Sequence, residues 1–346
     1  MLKILGLASC LPGDPITNFD LERCFGVSAG WLNKMTGNSK RYYCAKLDGG
    51  STLSLLDIAE KAAAKALMSA QVKPESIGFV ILSTATPDNL MPATVHMLLD
   101  RLGLNGIPAF QIQGGCTGAL QAFYLAEQLA GSLNCRGLVV GADSCQKFWS
   151  FGTQARDLQP QELVNMAMFG DGAGAAVVSA RLSDSGLRIE HILCRTEGLG
   201  RKPGQIARWF GASGAPLVAA PGGAMRAEAA TEEDYKAIAV EVPRLALQVL
   251  NELIAESLHT PEDYDYFLGP QLNYVMSEKI ADTLAFPAEK RIHCVQDTGN
   301  NGNALPFMQL EKLARTMKAG QSALQIAIES SKWIVTGMHI SCETAL

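Results

Sequence analysis

The sequence predicts an α/β protein of two similar halves, each a mainly parallel or mixed sheet layered with helices. Three observations predict it. Short β-like runs alternate with longer helical stretches along all 346 residues, the pattern of sheets covered by helices. The pattern repeats, so residues 1–180 and 181–346 read as two halves related by grammar rather than by sequence identity. In each half a buried strand leads into a helix whose first residue is polar and chemically capable, Cys116 in one and Asn300 in the other.

Each element has its own warrant. Residues 3–9 are a first strand, cut off by Pro12-Gly13, and this reading is preferred to a weak signal peptide. Residues 51–70 carry apolar side chains at helical spacing, with Ser51 or Thr52 as a cap. Residues 77–84, IGFVILST, are apolar and β-branched, hence a buried strand. Residues 92–102 form a short helix with proline near its start. Residues 108–113, 137–141, 173–180 and 187–193 are further strands. Residues 197–230, rich in Gly, Pro and Arg, read as a long surface or tunnel-lining connection. A long helix over 232–256 follows, then a strand at 266–269, a helix at 271–284, a strand at 291–295 and a helix at 300–317. Residues 323–329 and 333–339 form a closing pair joined by Ser330-Ser331-Lys332.

Composition excludes several classes. The chain is 48% hydrophobic and 18% charged, with a net charge of −5 and no basic cluster, which argues against nucleic-acid binding. Nine cysteines without CxxC spacing, in a chain too large to need staples, point to a reduced cytoplasmic setting. Cys and His never cluster at ligand spacing, so neither a metal nor another cofactor is expected. No apolar run reaches the roughly 18 residues of a membrane span.

Cys116 is the candidate nucleophile. In PAFQIQGGCTGALQAF an apolar strand meets Gly114-Gly115, and an amphipathic stretch begins at the cysteine. A thiol at a helix N-terminus faces free N–H groups and a favourable dipole, which lower its pKa and make it a nucleophile.

Several segments together resemble one family, the β-ketoacyl-acyl-carrier-protein synthase III group of thiolase-fold condensing enzymes. They are PAFQIQGGCTGA around Cys116, LVVGADS at 138–144, FGDGAGAAVVS at 169–179, TGNNGNA at 298–304 and KAGQ at 318–321, with GWLNKMTGNSKRYYC near Trp31. The resemblance spans the whole chain and implies a thiolase-like αβαβα fold. It implies that Cys116 carries the acyl group and donates its N–H to an oxyanion. It also implies that Asn300 is the asparagine that stabilises an enolate. FGDGAGAAVV, with Asp171, is implied to be structural.

The departures from the family pattern are equally informative. Where the family has its histidine, this chain has Pro270, within Gly269-Pro270-Gln271-Leu272-Asn273; proline can neither donate nor accept a proton there. The loop that supplies the second oxyanion donor is replaced by Ser330-Ser331-Lys332, which makes Ser331 and Lys332 candidate site residues, Lys332 as a cation beside the thiolate. His339 and His293 are weaker substitutes for the lost histidine and are read as structural. Met35 and Val275 stand at positions of nucleotide-gripping arginines while Trp31 is kept. Trp31, Trp209 and Phe210 are the candidate substrate-binding residues, the last two lining an acyl tunnel.

Three functions follow. The first is condensation of an acyl group on Cys116 with a malonyl-type carbon. The second is transfer of that group to an O, N or S acceptor. The third is a non-catalytic scaffold or chain-length partner in a heteromeric synthase. The setting would be lipid or specialised-metabolite biosynthesis. The partners would be an acyl carrier protein or acyl-coenzyme A, within a homodimer or a heterodimer with a homologous chain.

Overall fold

Nine strands share one mixed sheet in the computed structural model, which describes residues 1–47, 52–148, 160–209, 214–219, 225–257 and 260–343. From edge to edge they are Tyr266–Leu268, Ser322–Glu329, Ile334–Cys342, Leu187–Thr196, Leu2–Cys10, Asp171–Ser179, Arg136–Ser144, Ile77–Ser83 and Ala109–Ile112. Leu2–Cys10 and Leu187–Thr196 pair antiparallel at the centre. Outward from them each arm makes two antiparallel pairings, after which the Cys116 arm adds two parallel ones and the other arm one. The sheet is therefore mixed, with most pairings antiparallel, where mainly parallel strands were one of the two expectations. The turn between Glu329 and Ile334 shows one reason, because so short a connection can only reverse the chain into an antiparallel neighbour.

Helices cover both faces. Helix Leu55–Ser69 buries Ala59, Ala62, Ala63 and Ala66 against one face of the Cys116 arm. It is capped by Ser54, whose Oγ accepts from Asp57 N at 3.0 Å while the Asp57 carboxylate accepts from Ser54 N at 2.8 Å. The reciprocal box places the cap at Ser54, three residues past Ser51 and two past Thr52, the caps expected. On the other face lie helices Gly118–Leu133 and Leu305–Ala314, with the Phe123 and Phe307 rings 5.3 Å apart. Helix Tyr235–Ser257 packs on the far face of the second arm. No helix among the described residues is long and apolar enough to cross a membrane.

Strand Asp171–Ser179 is buried along its whole length. A Cβ at Gly174 would overlap the Phe307 side chain, so glycine there lets helix Leu305–Ala314 lie directly on the sheet. Asp171 ties this strand to its surroundings by accepting from Cys44 N at 2.7 Å and Gln146 N at 3.0 Å. Burial pushes its carboxyl pKa up to about 6 from 3.8. The folded state therefore holds a proton that the unfolded chain has lost between about pH 4 and 6, and stability from this group falls as pH rises through that window. Chemical denaturation should show the wild type losing up to about 3 kcal/mol relative to Asp171→Asn between pH 4 and 7. Parallel pH profiles of the two proteins would contradict this.

Two elements differ from expectation in kind. The strand expected over 291–295 reduces to a single bridge between Arg291 and Phe267, and Val295–Thr298 is a short helix. Gln271 Oε1 accepts from both Cys294 N and Val295 N at 2.9 Å, which replaces the ladder partner that a strand would need. The connection over 197–230 contains three-residue strands in two small ladders, including Gln205–Ala207 against Thr231–Glu233.

Candidate active site

The two central helices bring Cys116 and Asn300 to the same end of the middle layer. Strand Ala109–Ile112 runs into Gly114 and Gly115, and a single tight turn, Gly115–Thr117, precedes helix Gly118–Leu133. Cys116 thus sits in the turn before the helix rather than at its first residue. Gly115 has φ +52°, and a Cβ there would also run into the Glu329 carboxylate. Thr117 closes the turn by donating from Oγ1 to Gly114 O at 2.7 Å.

Asn300 is fixed by its backbone and by half of its side chain. Its N–H donates to Met168 O at 2.9 Å, and its carbonyl accepts from Gly170 N at 3.0 Å. Its Oδ1 accepts from Gly302 N at 3.0 Å. That leaves the amide nitrogen for the small cavity of about 30 Å³ that Asn300 lines together with Cys116 and Pro270. Pro270 lines this cavity without a side-chain donor to offer, while Gln271 beside it is spent on the backbone of Ile292, Cys294 and Val295.

A second cavity of about 310 Å³ reaches Cys116 from the other side. Trp209 lies in its wall and is half exposed. Phe210 lies outside the described residues. Trp31 is elsewhere, packed against the cluster of Leu21, Phe25, Leu32 and Tyr43. Of the expected tunnel-lining connection, residues 205 and 207–209 do line this cavity, and Asn165, Thr231 and Glu233 add a polar wall.

Glu329 is the residue that sequence reasoning missed. It is 2% exposed, and its Oε2 accepts from Cys116 N at 2.5 Å while its Oε1 accepts from Ser331 N at 2.6 Å. The two N–H groups expected to face a thioester oxygen are thus both held by one carboxylate. The sequence did contain a signal. Along Ser322–Glu329 the side chains alternate, with Leu324, Ile326 and Ile328 facing helix Tyr235–Ser257 and Ala323 and Ala327 facing the middle helices. Glu329 continues the second set, so the period of two aims an acidic group at the Cys116 layer.

This carboxylate reverses the electrostatic expectation. The Cys116 thiol pKa is raised well above 9, first by burial and then by the charges of Glu329 and Asp143. Desolvation and a like charge both disfavour a thiolate, and they outweigh the helix dipole. Lys332 does not help: it is exposed, and its Nζ donates to Arg201 O at 2.6 Å. The expected cation beside the thiol is therefore absent from Lys332, because the turn directs that side chain to the surface. Ser331 does line the larger cavity. Neither histidine weighed above lines either cavity. His293 pairs with Glu278 at 2.6 Å, and the buried His339 ring stands edge-on to Tyr264.

Models of 3-oxoacyl-[acyl-carrier-protein] synthase III match residues 110–198, and of its C-terminal part residues 254–330. The chain is 32% identical over 337 residues to a β-ketoacyl-[acyl-carrier-protein] synthase III of Streptomyces coelicolor, covering 94% of this chain and 92% of that one. It is similar to the solved structure of a tetronic acid condensing enzyme, with TM-score 0.91, 38% identity, and coverage of 99% of this chain and 100% of that one. The 3-oxoacyl-[acyl-carrier-protein] synthase III of Aquifex aeolicus shares the fold at TM-score 0.79 and 24% identity, over 99% of this chain and all of its own.

Proposed function

The chain belongs to the β-ketoacyl-acyl-carrier-protein synthase III family of thiolase-like condensing enzymes, acyltransferases by reaction class, and from that premise we propose that Cys116 is its acyl carrier. In this reading Cys116 takes an acyl group from a thioester, on a carrier protein or coenzyme A, and Asn300 steadies the carbanion or enolate that attacks it. The observation that carries the reading is the position of Cys116 between two cavities, one shared with Asn300 and one of about 310 Å³ open to a substrate. A scaffold subunit needs neither.

The acceptor follows from the same features. A tetronic acid is a five-membered ring with a lactone oxygen and an enolised carbonyl, so making one from two acyl units forms one carbon–carbon and one carbon–oxygen bond. Likeness to a tetronic acid condensing enzyme supports an acceptor of that kind, which unites the condensation and O-transfer readings. The polar wall of Asn165, Thr231 and Glu233 supports an oxygenated substrate over a plain fatty chain. We include in the proposal a dimer with a like chain, beside the edge strand Ala109–Ile112 with its exposed Phe110.

The test is mass spectrometry of the intact protein after incubation with a panel of acyl-coenzyme A and acyl-carrier thioesters, with peptide mapping of any adduct. The expected result is one acyl group on the Cys116 peptide. Asn300→Asp, which keeps the acceptor for Gly302 N but loses the amide donor, should still acylate. Its condensation product should fall by about 10²–10³-fold, the usual cost of one such donor. No adduct from any donor would overturn the reading and move the protein to a non-catalytic role.

A further inference from the structure

We propose that Glu329 is the proton-transfer residue of this site, and that its carboxylate gives up the Cys116 N–H when a thioester carbonyl arrives to take it. The proposal rests on the reading of Cys116 as acyl carrier and deepens it by naming the base and the acceptor class.

Cys116 is only partly buried but its thiol pKa is raised, so attack on a carbonyl needs a group to take its proton. Pro270 cannot, and Lys332 and the two weighed histidines are turned elsewhere. Of the two other carboxylates on the larger cavity, Asp143 is saturated by five donors from Thr84, Ala85, Thr86 and Asn303, and Glu233 is held by Asn165, whose Nδ2 donates to both of its oxygens at 2.9 Å. Glu329 is left, accepting from the backbone N–H of Cys116 at 2.5 Å, with its charge next to the thiol. It cannot keep that N–H during reaction, because the N–H is the donor a developing oxyanion requires. Ser331 N, on the other carboxylate oxygen, holds the side chain near while the exchange occurs.

The steps balance. In acylation the Cys116 Sγ–H bond breaks as the S–C bond to the acyl carbon forms, and the proton passes to Glu329. The bond from the acyl carbon to the donor sulfur then breaks, and Glu329 returns its proton to that departing thiolate. In transfer Glu329 takes a proton from the acceptor, a C–H flanked by carbonyls or an O–H. The acceptor's electron pair forms the new bond to the acyl carbon, the S–C bond to Cys116 breaks, and the Cys116 thiolate recovers the proton. No carboxyl group is lost. An acceptor with a removable proton therefore replaces a decarboxylating malonyl unit, in keeping with a site that has exchanged its histidine for Pro270.

The experiment compares wild type with Glu329→Gln in two measurements. The first is the pH dependence of Cys116 alkylation by iodoacetamide, which needs no biological donor. The midpoint should move to lower pH in the variant, because a negative charge beside the thiol is gone. The second is acyl transfer to Cys116 from a p-nitrophenyl ester and from the thioester panel, which should fall by about 10²–10⁴-fold although the thiol has become easier to ionise. A merely structural Glu329 would not split the two readouts in opposite directions. Wild-type acylation in Glu329→Gln, or an unmoved alkylation midpoint, would sink the proposal. If wild type takes acyl from the ester but from no thioester, the proposed function fails while the role of Glu329 stands. Should Glu329→Gln not fold, Glu329→Asp, one methylene shorter and still charged, should show the same loss of acyl transfer.

Discussion

Replacing Cys116 with alanine is expected to lower acyl transfer by at least about 10⁴-fold, the scale on which loss of a nucleophile is felt. The expectation is sharp because a rival is present. Cys145 lines the same larger cavity, and its thiol pKa is also pushed far up, by burial and by Asp143, Asp171 and Cys116. What separates the two thiols is the neighbourhood. Cys116 lies on both cavities and holds Glu329 on its own N–H; Cys145 lines only the larger one. Cys145→Ala should therefore keep the acyl adduct and the turnover, and Cys116→Ala should lose both. Intact mass after donor incubation reads the adduct directly. An adduct that survives in Cys116→Ala and vanishes in Cys145→Ala would exchange their roles.

How far the sequence could lead to this site depends on the range of the interactions involved. Strand Ile77–Ser83 was legible because an apolar, β-branched run suffices to specify it. The site of Cys116 was legible because strand, tight turn and helix are local patterns; Asn300 was marked by the resemblance of TGNNGNA, since no strand leads into it and the helix expected to begin there starts only at Leu305. Helix Asn18–Phe25 had a local signature too, Thr17 capping Asp20 N while Asp20 accepts from Thr17 N, but too few residues to stand out by periodicity. The false strand at 291–295 and the expected thiolate fail for one reason: each was decided by a partner distant in sequence. Gln271 reaches across to the N–H groups of Cys294 and Val295. Glu329, 213 residues from Cys116, sets the charge at the thiol. A local rule such as the dipole of a helix end is worth at most about 2 kcal/mol, and burial beside a carboxylate overrides it.

Asp143→Ala is expected to produce the largest loss of stability, about 3–5 kcal/mol from several buried donors left unanswered at once. Asp143 is 2% exposed and stands where the two halves of the site meet. Its Oδ1 accepts from Thr84 Oγ1 at 3.1 Å, Ala85 N at 2.7 Å and Thr86 Oγ1 at 3.0 Å. Its Oδ2 accepts from Asn303 N at 2.8 Å and Asn303 Nδ2 at 2.7 Å. Alanine would strand two backbone N–H groups and an amide in a buried site, each costing about 1–3 kcal/mol if unanswered, with some recovery from water entering the space. The damage should not stop at stability. The Asn303 turn immediately follows Asn300, and Asn303 Oδ1 also accepts from Ser83 Oγ at 2.6 Å. Loosening it frees Asn300 to drift from Cys116, so the surviving folded protein should acylate but condense poorly. Asp143→Asn should be intermediate in stability: its oxygen can serve the three donors around Thr84, but its NH₂ then faces the two donors of Asn303. Urea denaturation orders the three proteins. A loss below about 1 kcal/mol in Asp143→Ala, the level of an ordinary exposed pair, would mean that Asp143 does not clamp the two halves together.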